Sequence, residues 1–262
     1  MFDISQHNPK RIIVAGDWHR HFKATFAQKV IRYAVHEGID TILHVGDFGY
    51  KFGVRGHDAY EYEKPLHQTL LKNDVRLFWI DGNHENHPYL LDLKTLESGW
   101  KQTGAKGNIY YAPRGHRWNW NGLDFGALGG AFSINFNRLK EGVNLFADLE
   151  EVSQKDVDKL GDEKLDVLVA HDIPEGVPIK SAFGHLQRTR TRDLVLEAVH
   201  RTNPERLFSG HWHMRKNYVF AHDSGVTYGS ILDKEYSPGN ICIFNLETNE
   251  IEDIPSNWYE LG

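Results

Sequence analysis

Short apolar runs alternate with amphipathic stretches over the first third of the chain. Apolar residues recur at helical spacing over 22–38, which predicts a helix that stops at Gly38. Residues 58–72 predict a weaker helix, interrupted by Pro65. Three continuous apolar runs predict buried strands, at RIIVAG (11–16), DTILHVGD (40–47) and VRLFWIDGN (75–83). Strands and helices in this alternating order favour a parallel sheet covered by helices.

The middle of the chain changes to short aromatic and alternating runs separated by Gly and Asn turns. These runs predict meandering strands at 108–115, 116–122 and 123–132. A short helix is predicted over 150–161, where Ser153 and Asp156 have the spacing of a capping box.

The last hundred residues return to strand and helix signals, without a linker or an internal repeat. The pattern predicts a buried strand, a helix, a strand that runs into the histidines of GHWH, and a final set of strands: 165–172, 191–204, 206–213, 218–231 and 240–254. We therefore predict one domain over residues 1–262.

Composition limits the class of protein. Of the 262 residues, 40% are hydrophobic and 25% are charged, which is ordinary for a soluble globular protein. The net charge of −6 offers no basic surface for nucleic acid, so nucleic acid is not a favoured partner. The single Cys242 leads us to expect a reducing, cytoplasmic compartment. We expect no membrane association, because no apolar run approaches the roughly 18 residues that span a bilayer.

Polar residues that can bind metal ions follow five of the predicted strands. In open α/β sheets, ligands bind outside the carboxyl ends of the strands, so we expect these side chains to converge at one edge. Converging carboxylates and lone pairs are costly to bury without a cation. The candidates for a metal site are Asp17, His19, Asp47, Asn83, His171, His211 and His213.

These seven candidates exceed what one tetrahedral zinc ion needs, and no set of thiolates is present. They suit two divalent ions about 3.5–4 Å apart that share one carboxylate. Mixed imidazole and oxygen ligands favour Mn²⁺, with Fe, Zn, Co or Ni as alternatives, over Ca²⁺ or Mg²⁺ alone. If residues 206–213 form a strand, His211 and His213 project to the same side and Trp212 to the other.

The motifs together resemble the calcineurin-like metallophosphoesterase superfamily, in particular its small bacterial and phage members. The resemblance lies in the order of five pieces, each after a predicted strand: D-x-H (17–19), G-D (46–47), G-N-H-E (82–85), His171 and G-H-x-H (210–213). It implies a four-layer α/β/β/α sandwich of two mixed β-sheets flanked by helices.

The same resemblance implies a role for each candidate residue. The first metal ion would be bound by Asp17, His19 and His213, and the second by Asn83, His171 and His211, with Asp47 bridging the two. A hydroxide that bridges the ions would attack phosphorus. His84 would contact the phosphate and protonate the leaving oxygen.

Further residues next to these motifs are weaker candidates. Glu85 and Asp172 are expected to orient neighbouring histidines, as carboxylates beside metal sites often do. Arg20 and His21 are candidates for contact with substrate phosphate.

The resemblance implies a binuclear metal-dependent phosphoesterase that hydrolyses phosphodiesters, cyclic nucleotides among them, and phosphomonoesters. The second motif continues as GDFGYKFG, which departs from the G-D-x-x-D-R-G of protein serine/threonine phosphatases and argues against that class. A metal-dependent nuclease and a non-catalytic scaffold with the same fold are the alternatives. The substrate is expected to be a small phosphoester or a nucleotide, and the sequence does not indicate the oligomeric state.

Overall fold

The computed structural model describes residues 3–19, 25–52, 57–103, 108–133, 137, 140–143, 145–179, 188–252 and 254–260. Within these ranges the strands form two mixed sheets. The strands are β1 (Arg11–Ala15), β2 (Thr41–His44), β3 (Arg76–Trp79), β4 (Lys101–Gln102), β5 (Ile109–Tyr111), β6 (Arg117–Trp120), β7 (Leu123–Leu128), β8 (Val167–Ala170), β9 (Arg206–Ser209), β10 (Lys216–His222), β11 (Gly225–Ile231), β12 (Ile241–Asn245) and β13 (Glu250–Glu252). The α-helices are α1 (Thr25–His36), α2 (His57–Lys72), α3 (His87–Asp92), α4 (Ala147–Glu150), α5 (Gln154–Leu160) and α6 (Arg190–Thr202).

The first sheet has the strand order β13-β12-β1-β2-β3-β5-β4, and the second has the order β10-β11-β9-β8-β7-β6. Strands β1, β2, β3 and β5 are parallel to their neighbours in that run. Strands β7, β8, β9 and β11 form a second parallel run. Parallel strands place their carboxyl ends at a common edge, which fixes where the residues after β1, β2, β3, β8 and β9 lie.

Successive residues of a strand face opposite sides of the sheet, and this alternation separates the core between the sheets from the core under the helices. In β1, Ile12 and Val14 pack between the two sheets, whereas Ile13 and Ala15 face the helices. Phe78 of β3 also packs in the core between the sheets. Helices α1 and α2 cover the outer face of the first sheet, and α5 and α6 cover that of the second. The predicted α/β/β/α sandwich is therefore confirmed.

Two local predictions had different outcomes. The capping box is confirmed: the Ser153 backbone N–H donates to Asp156 Oδ2 at 2.8 Å, at the start of α5. The expected interruption at Pro65 is wrong, because α2 runs from His57 to Lys72 without a break. Leu66 and Leu70 of this helix are fully buried, and we infer that their packing outweighs the single hydrogen bond that proline cannot donate.

The meandering strands of the middle region are divided between the sheets. β5 extends the first sheet, whereas β6 and β7 form an antiparallel hairpin in the second. Asn121 and Gly122 make its turn with positive φ values of 53° and 80°, as a two-residue Asn-Gly hairpin requires. None of the described helices is long and apolar enough to cross a membrane.

Candidate metal centre

The candidate metal ligands lie where strands of both sheets end. Four of them have left-handed backbone conformations: φ is 40° at His19, 53° at Asp47, 66° at His211 and 48° at His213. Such values are unfavourable for residues other than glycine, and they persist only where the surrounding structure enforces them. We infer that the chain turns sharply at these strand ends in order to direct the side chains towards one another.

Asp47 lies at the centre of the site, with its side chain 1% exposed. Its Oδ1 accepts a hydrogen bond from the backbone N–H of His84 at 2.8 Å and lies 3.3 Å from Nε2 of His171. Its Oδ2 lies 3.3 Å from Nε2 of His19. The two oxygens of one carboxylate thus face two different histidines.

Asp17 is fully buried beside it and holds the GHWH segment. Both of its carboxylate oxygens accept from the backbone N–H of His211, each at 3.1 Å. Its Oδ2 lies 3.2 Å from Nε2 of His213, and that nitrogen is 3.3 Å from Nε2 of His19.

The two histidines of GHWH do not lie on a strand, in contrast to the alternation expected from the sequence. β9 ends at Ser209, and both histidines belong to the turn that follows. The ring of His211 lies against His171, with 5.2 Å between centroids, whereas the ring of His213 lies 4.8 Å from His19. Trp212 turns away from the site, and its Nε1 donates to Asp172 at 2.9 Å.

Three groups of side chains in the described residues are close enough to bind a metal ion, since their ligand atoms lie within 4.8 Å of one another. They are Asp17 with His19 and His213, Asp17 with Asp47 and His171, and His19 with Asp47 and His84. The groups overlap through Asp17, His19 and Asp47, so the site is one continuous cluster.

Asn83 and His171 each have a buried ligand atom that is available to a cation. Asn83 is 3% exposed, and its Nδ2 donates to Ser133 Oγ at 3.1 Å. Its Oδ1 is buried without a hydrogen-bond partner among the described residues, which leaves this oxygen free for a cation. His171 donates from Nδ1 to the Val45 carbonyl at 2.8 Å, so its Nε2 faces Asp47. Both contacts fit a divalent ion with oxygen and imidazole ligands.

The charge of the cluster also fits a cation. Burial lowers the pKa of His19, but its contacts with Asp47 and Glu235 outweigh that effect and raise the pKa to about 11. Burial likewise opposes the charged form of His171, yet Asp47 raises its pKa to about 9. Burial would raise the pKa of Asp47, but the neighbouring His171 and His84 hold it well below its ordinary value. The carboxylates therefore attract positive charge, which bound metal ions would provide in place of protons.

Glycines let these side chains come together. A Cβ atom on Gly82 would lie 2.1 Å from Asp47 Oδ1 and 2.8 Å from His171 Nε2. A Cβ atom on Gly210 would lie 2.1 Å from Asp17 Oδ1. The carboxylates of Asp47 and Asp17 therefore occupy the space that a side chain at Gly82 or Gly210 would need.

The carboxylates of Glu85 and Asp172 contact groups other than histidine rings. Glu85 is fully buried and accepts from the backbone N–H groups of Phe48 at 2.8 Å and Tyr50 at 2.5 Å. It therefore holds the loop that follows Asp47. Asp172 accepts from Trp212 and from its own neighbour Ile173, the latter at 2.8 Å. Glu85 and Asp172 therefore affect the cluster by fixing these loops.

His84 lies at the rim of the cluster. Its Nδ1 is buried and has no hydrogen-bond partner among the described residues, and its ring meets that of Phe52 edge-on at 4.7 Å. Burial lowers its pKa. Arg20 and His21, the predicted substrate contacts, lie outside the described residues.

Two residues next to the cluster were not among the candidates predicted from the sequence. Glu235 Oε2 lies 2.9 Å from Nδ1 of His19, although 216 positions separate the two residues. Ser133 reaches Asn83 from 50 positions away. Ser133 directly follows the run predicted as a strand at 123–132, and Glu235 comes four residues after the one at 218–231, but neither belongs to a motif that indicated the metal site. Only the folded chain shows that they approach the site.

Comparison with known proteins identifies a family for this chain. A sequence model of a family described as calcineurin-like phosphoesterase matches residues 10–215. No curated protein matches the chain significantly.

Solved structures share the fold at low sequence identity. The protein TT1561 of Thermus thermophilus superposes with a TM-score of 0.57 at 12% identity, covering 95% of this chain and 100% of its own. A dimetal phosphatase from Danio rerio gives 0.51 at 14% identity, covering 90% and 92%. GAP50, described as the anchor in the inner membrane complex of Plasmodium, gives 0.50 at 13% identity, covering 94% and 88%.

Proposed function

The chain belongs to the calcineurin-like phosphoesterase family, and from this premise we propose that it is a binuclear metal-dependent phosphoric ester hydrolase. The observation that carries the proposal is the position of Asp47, whose two oxygens lie 3.3 Å from His171 and from His19. A carboxylate placed between two sets of donors is what a pair of divalent ions about 3.5–4 Å apart requires.

The proposed ligand sets follow the two sides of Asp47. Asp17, His19 and His213 bind one ion, since their ligand atoms lie within 4.8 Å of one another. The other ion is bound by Asn83, His171 and His211, supported by the free Oδ1 of Asn83 and by the contact between the two imidazole rings. Nitrogen and oxygen ligands without thiolates favour Mn²⁺, with Fe, Zn, Co or Ni as alternatives.

Two divalent ions bound here would supply an activated water nucleophile and positive charge for the phosphate. The residues of the chain orient the metal ligands and supply the proton for the leaving group. Asp47 and Asp17 keep the histidine rings in place, and the buried Glu85 fixes the loop behind Asp47. His84 is positioned by the hydrogen bond from its backbone N–H to Asp47 and gives a proton to the leaving oxygen.

We propose small phosphodiesters, cyclic nucleotides among them, as substrates, with phosphomonoesters as secondary ones. The net charge of −6 does not favour a nuclease. The fold alone does not establish catalysis, because the anchor protein of Plasmodium shares it. The presence of every ligand type together with His84 supports an enzyme over a scaffold. The cytoplasm is the proposed compartment, in keeping with a single, buried cysteine.

Hydrolysis of model esters tests this function. Protein loaded with Mn²⁺ should hydrolyse bis-p-nitrophenyl phosphate, and p-nitrophenyl phosphate with a lower kcat/KM. Metal-free protein should hydrolyse neither ester. If the metal-loaded protein also leaves both esters intact, the catalytic proposal is wrong and a scaffold is favoured.

Replacing Ser133 with alanine should weaken the ion on the Asn83 side. Ser133 is fully buried, and its Oγ accepts a hydrogen bond from the amide N–H of Asn83. The Ser133 hydroxyl donates its own proton to Glu150, so it can only accept from Asn83. The Asn83 amide is therefore held with its Oδ1 free. We expect about 10-fold weaker binding of one Mn²⁺ ion in Ser133→Ala, as for other residues that orient a ligand. Calorimetric titration with Mn²⁺ measures this, and Ser224→Ala at the exposed turn before β11 is the control. Equal affinities in both variants would show that Ser133 does not orient Asn83.

A further inference from the structure

The ring of His19 is held from both sides by carboxylates. Nε2 lies 3.3 Å from Asp47 Oδ2, while Nδ1 lies 2.9 Å from Glu235 Oε2. The side chain of Glu235 is 11% exposed and that of Asp47 is 1% exposed, so both contacts are largely shielded from water. His19 therefore has one nitrogen towards the metal cluster and one towards a carboxylate outside it.

The contact with Glu235 determines which nitrogen is available to a cation. A carboxylate can only accept, so Nδ1 of His19 carries the proton in this hydrogen bond. With Nδ1 protonated and a metal ion at the other side, the lone pair lies on Nε2, the atom 3.3 Å from Nε2 of His213. A histidine held this way has a fixed tautomer, a fixed ring orientation and a more basic donor atom.

The chain segment that carries Glu235 is tied to the cluster by a second residue. Asn240 donates from Nδ2 to the backbone carbonyl of Asp233 at 2.7 Å and to that of Asp17 at 3.2 Å. Asn240 is fully buried, and its Oδ1 accepts from Nε1 of Trp18 at 3.2 Å. These bonds join the turn after β11 to the loop after β1, which places Glu235 beside His19.

We propose that Glu235 is a positioning residue for the metal centre, which presents Nε2 of His19 to the ion held with Asp17 and His213. The inference rests on the proposed function and assigns a part of the site that lies beyond the matched residues 10–215. The segment after β11 is then a component of the metal centre and not only the connection to β12.

Variants of Glu235 test the proposal through metal binding, independently of turnover. Metal-free protein is titrated calorimetrically with Mn²⁺ in wild type, Glu235→Ala, Glu235→Gln and the exposed control Glu163→Gln. One of the two ions should bind about 10–100-fold more weakly in Glu235→Ala, while the other keeps its affinity. Glu235→Gln, whose amide oxygen still accepts from Nδ1, should lose less than the alanine variant.

The outcomes separate positioning from other roles. Dissociation constants within twofold of wild type in Glu235→Ala would overturn the inference and leave the proposed function intact. Equal losses in the alanine and glutamine variants would also overturn it, because they would indicate a direct ligand or a purely charge-based role. A wild-type protein that binds no Mn²⁺ would contradict the proposed function, and the inference with it. Circular dichroism of the metal-free variants should match that of wild type, and loss of the folded spectrum would point to a structural role instead.

Discussion

Replacing Asp47 with asparagine should lower kcat/KM for phosphodiester hydrolysis by at least about 10³-fold, because metal-ion catalysis supplies several kcal/mol and 1.36 kcal/mol is tenfold in rate. Asparagine keeps an oxygen that can accept from the His84 backbone N–H, but it removes the negative charge shared between His19 and His171. The two ions would lose their common ligand. Bound metal, measured by elemental analysis after dialysis, should fall below two ions per chain.

A matched surface variant shows whether the loss of activity and of bound metal is caused by the change at the metal site. Asp74 is 87% exposed and forms a surface salt bridge with Arg76, so Asp74→Asn should keep wild-type activity and metal content. Circular dichroism of Asp47→Asn should match that of wild type. Asp47→Asn or Asp47→Ala protein with full activity and two bound ions would exclude Asp47 as the bridging ligand.

Replacing His84 with glutamine should lower kcat by about 10²–10⁴-fold on an alkyl phosphodiester, the range in which general acid catalysis usually contributes. Metal content should stay at two ions per chain, because His84 belongs to neither of the proposed ligand sets and is held in place by the hydrogen bond from its backbone N–H to Asp47. The loss should be smaller on bis-p-nitrophenyl phosphate, since p-nitrophenolate leaves without a proton.

This comparison of leaving groups distinguishes two roles for His84. His84 lies close enough to His19 and Asp47 to bind an ion with them. Loss of one ion in His84→Gln, with equal decreases in kcat on both substrates, would identify His84 as a ligand and contradict its role as the acid.

Local sequence patterns were enough to predict the strands and the edge at which they end. Asp17, Asp47 and Asn83 each follow a short apolar run, and parallel pairing of these runs brings their ends together. These features depend on residues close together in the sequence, which is why periodicity identifies them. The four layers were expected from the family resemblance, and the structure forms them because alternate residues of β1 face opposite sides of the sheet.

The details that depend on distant contacts could not be predicted. His211 and His213 reach the site from a turn with left-handed backbone, which the buried Asp17 enforces from 194 positions away. Glu235 approaches His19 only because the turn after β11 folds back over the first strand end. The course of α2 through Pro65 likewise depends on packing against the sheet, which local propensity does not contain.

The most direct test of the central claim is the electron paramagnetic resonance spectrum of the protein titrated with Mn²⁺. Two Mn²⁺ ions that share Asp47 at about 4 Å should bind with a stoichiometry of two per chain and give the spectrum of a spin-coupled pair. The coupled signal should disappear in Asp47→Asn. A saturated protein that shows only isolated Mn²⁺, or none at all, would contradict the account of a two-metal centre bridged by Asp47.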